Sequence, residues 1–214
     1  MREPDMPASG GNETDAAASV SPVSTAPLRD ELLDVEILDS SVVYEGRVWD
    51  VRNDRFRYGD DELERQYVDH PGASAIVALD DRERVLLIQQ YRHPIRHRDW
   101  EIPAGLLDMD GESPLETAKR ELAEEADLAA EHWEPLVSVF STPGGNDEVV
   151  HIFFATGLQP LDAVHDREAE EADIRIEWVP LADAVTAVLE GRLRNGILAV
   201  GVLAAAERLR RTES

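Results

Sequence analysis

"AGLLDMDGESPLETAKRELAEEADL", residues 104–128, is the stretch on which the reading of this chain turns. Five glutamates fall in it, three of them within Arg120–Glu125. Ser113 suits a helix N-cap, Pro114 the first helical position, and Glu116 completes a capping box, so a helix is expected over Pro114–Ala126. On that helix Glu121, Glu124 and Glu125 share one face, because residues three and four apart are neighbours. Leu115, Ala118 and Leu122 make an apolar stripe on another side, suited to packing on a sheet. Like charges at this spacing repel by roughly 0.2–0.5 kcal/mol per pair, a cost that a divalent cation would turn into binding free energy. An acidic pair alone is ordinarily a solvated face. The spacing of Ala104-Gly105, Glu112, Arg120-Glu121-Leu122 and Glu124-Glu125 argues for a metal site instead.

The composition narrows the chemistry. At 214 residues, 43% hydrophobic and 31% charged, the chain has the make-up of one soluble domain with a small appendage. It has no cysteine, which excludes disulfides, thiolate metal sites and thiol nucleophiles. A bound metal must then be held by carboxylates, which points to magnesium, manganese or calcium rather than zinc. The net charge of −24 repels nucleic acid and anionic membranes, so neither is expected as a partner. A phosphate substrate requires metal ions or local arginines to invert the field. No apolar run approaches the roughly 20 residues of a membrane span, and MREPDMPASGG has no apolar core of a signal peptide, so a cytoplasmic protein is expected.

Along the chain, residues 1–33 are rich in Ala, Ser, Pro, Gly and Asp and read as a disordered tail. Residues 34–70 alternate as an antiparallel meander turning at Tyr58-Gly59-Asp60-Asp61, too thin to stand alone. The apolar runs Ala73–Leu79 and Arg84–Gln89, separated by Asp80-Asp81, read as a buried hairpin. Strands are expected at Trp133–Phe140, Val149–Thr156 and Ile174–Val179, and helices at Leu181–Leu189 and Asn195–Leu209. Strands and helices mix without a βαβ rhythm, which indicates α+β, with helices around a mixed sheet over residues 71–210.

The 104–128 stretch resembles the Nudix box, G-x5-E-x7-R-E-U-x-E-E-x-G-U with U aliphatic. Gly105, Glu112, Arg120, Glu121, Leu122, Glu124, Glu125 and Leu128 fill its positions. Two departures stand out: the loop between Gly105 and Glu112 is one residue longer, and Asp127 replaces the second glycine. That glycine serves a left-handed helix end, which Asp tolerates better than most residues. The resemblance implies the Nudix fold, a mixed sheet sandwiched between helices. It implies Mg2+, with Mn2+ as an alternative, held by Glu121, Glu124, Glu125 and the Ala104 carbonyl, and Glu112 pairing with Arg120. The implied chemistry is hydrolysis of a nucleoside diphosphate linked to another group.

Three further segments resemble the ADP-ribose pyrophosphatase branch of that family. In "QQYRHPIRHRDWEIPAG", Arg92 would clamp the diphosphate and Glu101 would accept from substrate hydroxyls or hold water at the metal; the alternative for Arg92 is a surface salt bridge. In "STPGGNDEVVHIFFATGL", Pro143 lies sixteen residues beyond Asp127, and Glu148 would accept hydrogen bonds from the terminal ribose. In "HDREAEEADIRIEWVPL", a loop glutamate would act as general base on the attacking water, Glu171 by position or Glu170 as the alternative. The branch also implies a homodimer joined through the N-terminal sheet, with Arg65 reaching across to the base. The expected reaction is cleavage of ADP-ribose to AMP and ribose 5-phosphate. The alternatives are another nucleoside diphosphate derivative (nucleotide sugar, NADH, dinucleoside polyphosphate) or a non-catalytic nucleotide-sensing module.

Overall fold

The computed structural model describes residues 27–162 and 174–212. The described residues from Val35 onward form one compact unit, and residues 27–34 carry no regular secondary structure; residues 1–26 of the expected disordered tail lie outside the described residues. Among the described residues no helix is long and apolar enough to cross a membrane.

Three antiparallel strands, β1 (Ile37–Tyr44), β2 (Asp50–Tyr58) and β3 (Asp61–Asp69), form the expected N-terminal meander in the order β1-β2-β3. β2 and β3 turn at Gly59, whose φ of 62° needs a residue free of Cβ strain. Val43, Tyr44 and Tyr58 stay exposed on this sheet, so it buries little of its own apolar surface.

The core is built around β4 (Ala73–Ala78), every residue of which is buried. Ala75, Val77 and Leu79 join one apolar cluster with Leu181 and Ala184 of α2 (Leu181–Leu189) and Leu198, Val202 and Ala205 of α3 (Gly196–Thr212). Ile76 and Ala78 join a second with Ala118 and Leu122 of α1 (Pro114–Ala126) and Phe153 and Ala155 of β9 (Val149–Pro160). Alternation along an extended strand sends successive side chains to opposite faces, so β4 needs a cover on each. The result is α+β: a mixed sheet in the order β7-β4-β9-β8, with helices on both faces. Here β7 is Ala104–Leu106 and β8 is Leu128–Phe140; β4 runs parallel to β9 and antiparallel to β7.

The two apolar runs expected to form one hairpin are instead divided between sheets. β5 (Arg84–Arg92) pairs with β6 (His97–Glu101) and β10 (Arg175–Pro180), and meets the end of the β4 run at the Leu79–Val85 bridge. The cause is the turn between them. Asp80 Oδ1 accepts from the backbone of Arg82 and Arg84 at 2.9 and 2.8 Å, while Glu83 sits at φ 57°, and the chain leaves one sheet for the other. A strand apolar on both faces then takes the interior place, with neighbours on both edges.

Helix α1 has the expected bounds, and its capping box is formed: Glu116 N donates to Ser113 Oγ at 3.3 Å and Ser113 N to Glu116 Oε2 at 2.8 Å. Asp127 ends it in the left-handed conformation, φ 53° and ψ 38°, its N–H returning to the Ala123 carbonyl at 3.0 Å. Asn195, expected inside α3, caps it instead, with Oδ1 accepting from Leu198 N at 3.0 Å. Ser113→Ala is expected to cost about 1 kcal/mol and Leu122→Ala, which empties a fully buried site, about 2–5 kcal/mol, both read from urea midpoints.

Candidate active site

At residue 105 the edge strand β7 meets α1 with no space for a side chain. A Cβ built on Gly105 would lie 1.9 Å from Glu121 Oε1, so glycine here lets the Glu121 side chain lie against the loop where any larger residue would push it aside. Pairing with β4 then sets the backbone. Ile76 N donates to Pro103 O at 2.8 Å and Leu107 N to Gly72 O at 3.1 Å. Antiparallel hydrogen bonding alternates, so the Ala75–Ala104 pair is a non-bonded one and the Ala104 N–H and C=O face away from β4. The N–H donates to Glu125 Oε2 at 2.9 Å. The carbonyl of Ala104 shares that side.

Glu121, Glu124 and Glu125 lie within one turn of α1 at graded depth: Glu125 is buried, the Glu121 side chain is 13% exposed and that of Glu124 is 46% exposed. Arg120 gathers the cluster. Its Nε and Nη2 donate to Glu112 Oε1 and Oε2 at 3.2 Å each. Its Nη1 donates to Glu121 Oε1 at 2.5 Å and Glu124 Oε2 at 2.9 Å. Burial works against the Arg120 charge, but its hydrogen bond to Glu112, the Glu121 charge and its hydrogen bonds to Glu124 and Glu121 outweigh it and raise its pKa. Arg120 in turn holds the Glu112 carboxyl below the usual range, with Thr117 Oγ1 donating to Glu112 Oε2 at 3.0 Å.

One cavity of about 960 Å³ brings together Arg92, Glu101, Ala104, Glu121, Glu124, Glu125 and Glu148. Arg92, at the end of β5, forks onto buried Glu101 of β6, Nε to Oε1 and Nη2 to Oε2 at 2.7 Å each. Both expected substrate-facing residues are therefore present, and they pair with each other. Arg65 lies on exposed β3, donates through Nη1 to the Glu64 carbonyl at 2.7 Å, and does not line this cavity. Glu170 and Glu171 lie outside the described residues.

Other parts of the cavity had no signal in the sequence. Trp49 stacks on His70 with ring centroids 5.1 Å apart. Gly72 N donates to His70 Nδ1 at 3.0 Å, which leaves the ring proton on Nε2, facing Glu148 Oε1 at 3.6 Å. Asp99 Oδ2 accepts from Asn195 Nδ2 at 3.1 Å and ties β6 to the start of α3. These residues come from distant, aperiodic positions that only the folded chain unites. His93 and His97, four apart in the β5–β6 turn, are engaged separately, by the Tyr91 hydroxyl and the Ile95 carbonyl.

The carboxylates of Glu121, Glu124 and Glu125 and the Ala104 carbonyl form an all-oxygen donor set that suits a hard divalent cation. Among the described residues no group of three or more such side chains already stands at ligand distance. The Arg120 contacts to Glu121 and Glu124 account for part of that arrangement.

A family profile described as the NUDIX domain matches residues 68–198. An ADP-ribose pyrophosphatase from Mycobacterium tuberculosis is 42% identical over 172 residues, covering 80% of this chain and 83% of that protein. The methanol dehydrogenase activator of Bacillus methanolicus is 31% identical over 173 residues, covering 80% and 92%. A solved structure of an ADP compounds hydrolase superposes with a TM-score of 0.70 over 86% of this chain and 98% of that one, at 21% identity, a likeness of fold.

The Glu112 shift carries a pH signature. A carboxyl whose folded pKa is depressed adds stability that is present above the unfolded value of about 4.3 and is lost as pH falls through the folded value. The urea-midpoint gap between wild type and Glu112→Gln should be constant near neutrality and close progressively below about pH 4.3. A gap that persists to pH 2 would show that the pair has no such linkage.

Proposed function

The chain belongs to the Nudix family, and we propose that it is a hydrolase that splits the diphosphate of ADP-ribose, with water, into AMP and ribose 5-phosphate. What supports the reading is one cavity that gathers the box carboxylates, Arg92 and Glu148, in a chain 42% identical to an ADP-ribose pyrophosphatase.

Glu121, Glu124, Glu125 and the Ala104 carbonyl hold the divalent cation, Mg2+ or alternatively Mn2+. A cation held there would supply charge to offset the diphosphate oxygens and would make a bound water more acidic. Arg92 presents a planar fork to the diphosphate, from a position fixed by Glu101. Glu101 and Glu148 accept from substrate hydroxyls, Glu148 at the terminal ribose beside His70. Glu171, or Glu170, takes the proton from the attacking water on a carboxylate oxygen as the P–O bond to the leaving phosphate breaks.

The enzyme works as a cytoplasmic homodimer joined through β1–β3. Arg65 stands outside the cavity of its own chain, which fits a role at the base bound by the partner. The exposed Val43, Tyr44 and Tyr58 give that sheet apolar surface to bury.

The test is turnover of a panel (ADP-ribose, a nucleotide sugar, NADH, a dinucleoside polyphosphate) with and without Mg2+, on wild type and Glu125→Gln. AMP release fastest from ADP-ribose, dependent on Mg2+ and lowered at least about 100-fold in the variant, is the expected result. Preference for another panel member would sink the substrate and keep the site. Binding of nucleotide without turnover of any member would make the protein a sensor.

A further inference from the structure

The guanidinium of Arg120 is divided between two tasks. One edge, Nε and Nη2, lies on Glu112 in the loop before the helix, and the remaining nitrogen, Nη1, reaches both Glu121 and Glu124. Tying the loop to α1 needs only the first. The second places a positive charge on two of the carboxylates read above as cation ligands. Water screens this cluster poorly: the side chains of Glu112, Glu121 and Arg120 are 17%, 13% and 25% exposed. Three carboxylates crowded there need a counter-charge whenever no cation is bound. A guanidinium and a divalent cation on the same carboxylates repel each other, so the binding of one weakens that of the other.

We propose that Arg120 is the resident counter-cation of this site, a positioning residue that holds Glu121 and Glu124 until a divalent cation takes them, with Glu112 as the anchor that draws its guanidinium aside. The proposal rests on the cation-site reading given above and adds to it the group that the cation must displace. Glu112 is itself fixed by Thr117 Oγ1 at 3.0 Å, so it stays in place to receive the released guanidinium. Nη1 can leave Glu121 and Glu124 while Nε keeps its bond to Glu112.

The two partners of this ion pair then have opposite effects on cation affinity. Arg120→Gln removes the competitor and tightens binding. Glu112→Gln removes the anchor, leaves the guanidinium on Glu121 and Glu124, and weakens it. A pair that merely braces the loop predicts weaker binding from both changes.

The experiment is calorimetric titration of the full-length protein with Mn2+ and with Mg2+, in the absence of substrate. Arg120→Gln is expected to bind about tenfold tighter than wild type and Glu112→Gln about tenfold weaker. Arg120→Lys keeps a charge but loses the fork, and should fall between wild type and Arg120→Gln. It also keeps the test alive if Arg120→Gln does not fold. Lys119→Gln removes an exposed charge from the same helix and should change affinity less than about twofold. Weaker binding by either Arg120 variant overturns the handover and leaves the cation site standing. A wild type that takes up neither ion overturns the cation site itself.

Discussion

The close approach of Gly105 to Glu121 governs the geometry of the site. With a Cβ at residue 105 lying 1.9 Å from the carboxylate, Glu121 would have to swing away; with glycine there, β7 and α1 lie together with the Glu121 side chain between them. Because they do, the Ala104 backbone is delivered to Glu125, and the edge strand turns its free side toward the helix rather than toward water. The apolar stripe of α1 secures the other side: Ala118 and Leu122 are fully buried in the cluster shared with Ile76 and Phe153. A helix fixed through that face has no freedom to roll, so its acidic face stays aimed at the loop. Gly201 marks the equivalent constraint across the sheet, where a Cβ would lie 3.0 Å from both Val77 and Ile102 and α3 rests close on β4.

What the sequence made legible were the features written in short-range chemistry. The bounds of α1 follow from Ser113, Pro114 and Glu116, and the same residues form the cap in the structure. The meander of residues 34–70 carries alternation and a glycine turn, which are local signals too. The division of Ala73–Leu79 and Arg84–Arg92 between two sheets was not legible, because an apolar run states that it is buried but not what pairs with it. The short strands β6 and β7 escaped for lack of length. Of the cavity lining, helical spacing puts Glu121, Glu124 and Glu125 on one face, and the family resemblance points to Arg92 and Glu101. Trp49, His70 and Asp99 could not be found in this way, since each gains its meaning from a partner far away along the chain.

The cavity is acidic like the whole molecule, but arginines are set into it. The chain carries a net −24, yet Arg92 and Arg120 are both set among the carboxylates that line the cavity. Each is bound to a carboxylate less exposed than itself, which keeps the guanidinium oriented and its charge partly compensated. The lining still carries seven carboxylates, Asp99, Glu101, Asp108, Glu121, Glu124, Glu125 and Glu148, against the three arginines Arg92, Arg120 and Arg194, so its field repels an anion until a cation offsets it. Selection for an anionic ligand must then come at contact range, through fork geometry and through what sits on the carboxylates.

The parallel pairing of β4 with β9 has a consequence for how the chain reaches this state. Ala73 finds its place beside Val150, and its covering helix lies later still, around Leu198 and Val202. During synthesis the run Ala73–Ala78 leaves the ribosome long before its second edge and one of its faces exist. Long-range parallel pairing closes slowly, and a largely apolar strand left open is an invitation to the wrong neighbour. The acidic residues strewn through the rest of the chain then have a part in birth as well as in the folded state: nascent chains that carry so much negative charge keep apart while each waits for its own β9 and α3.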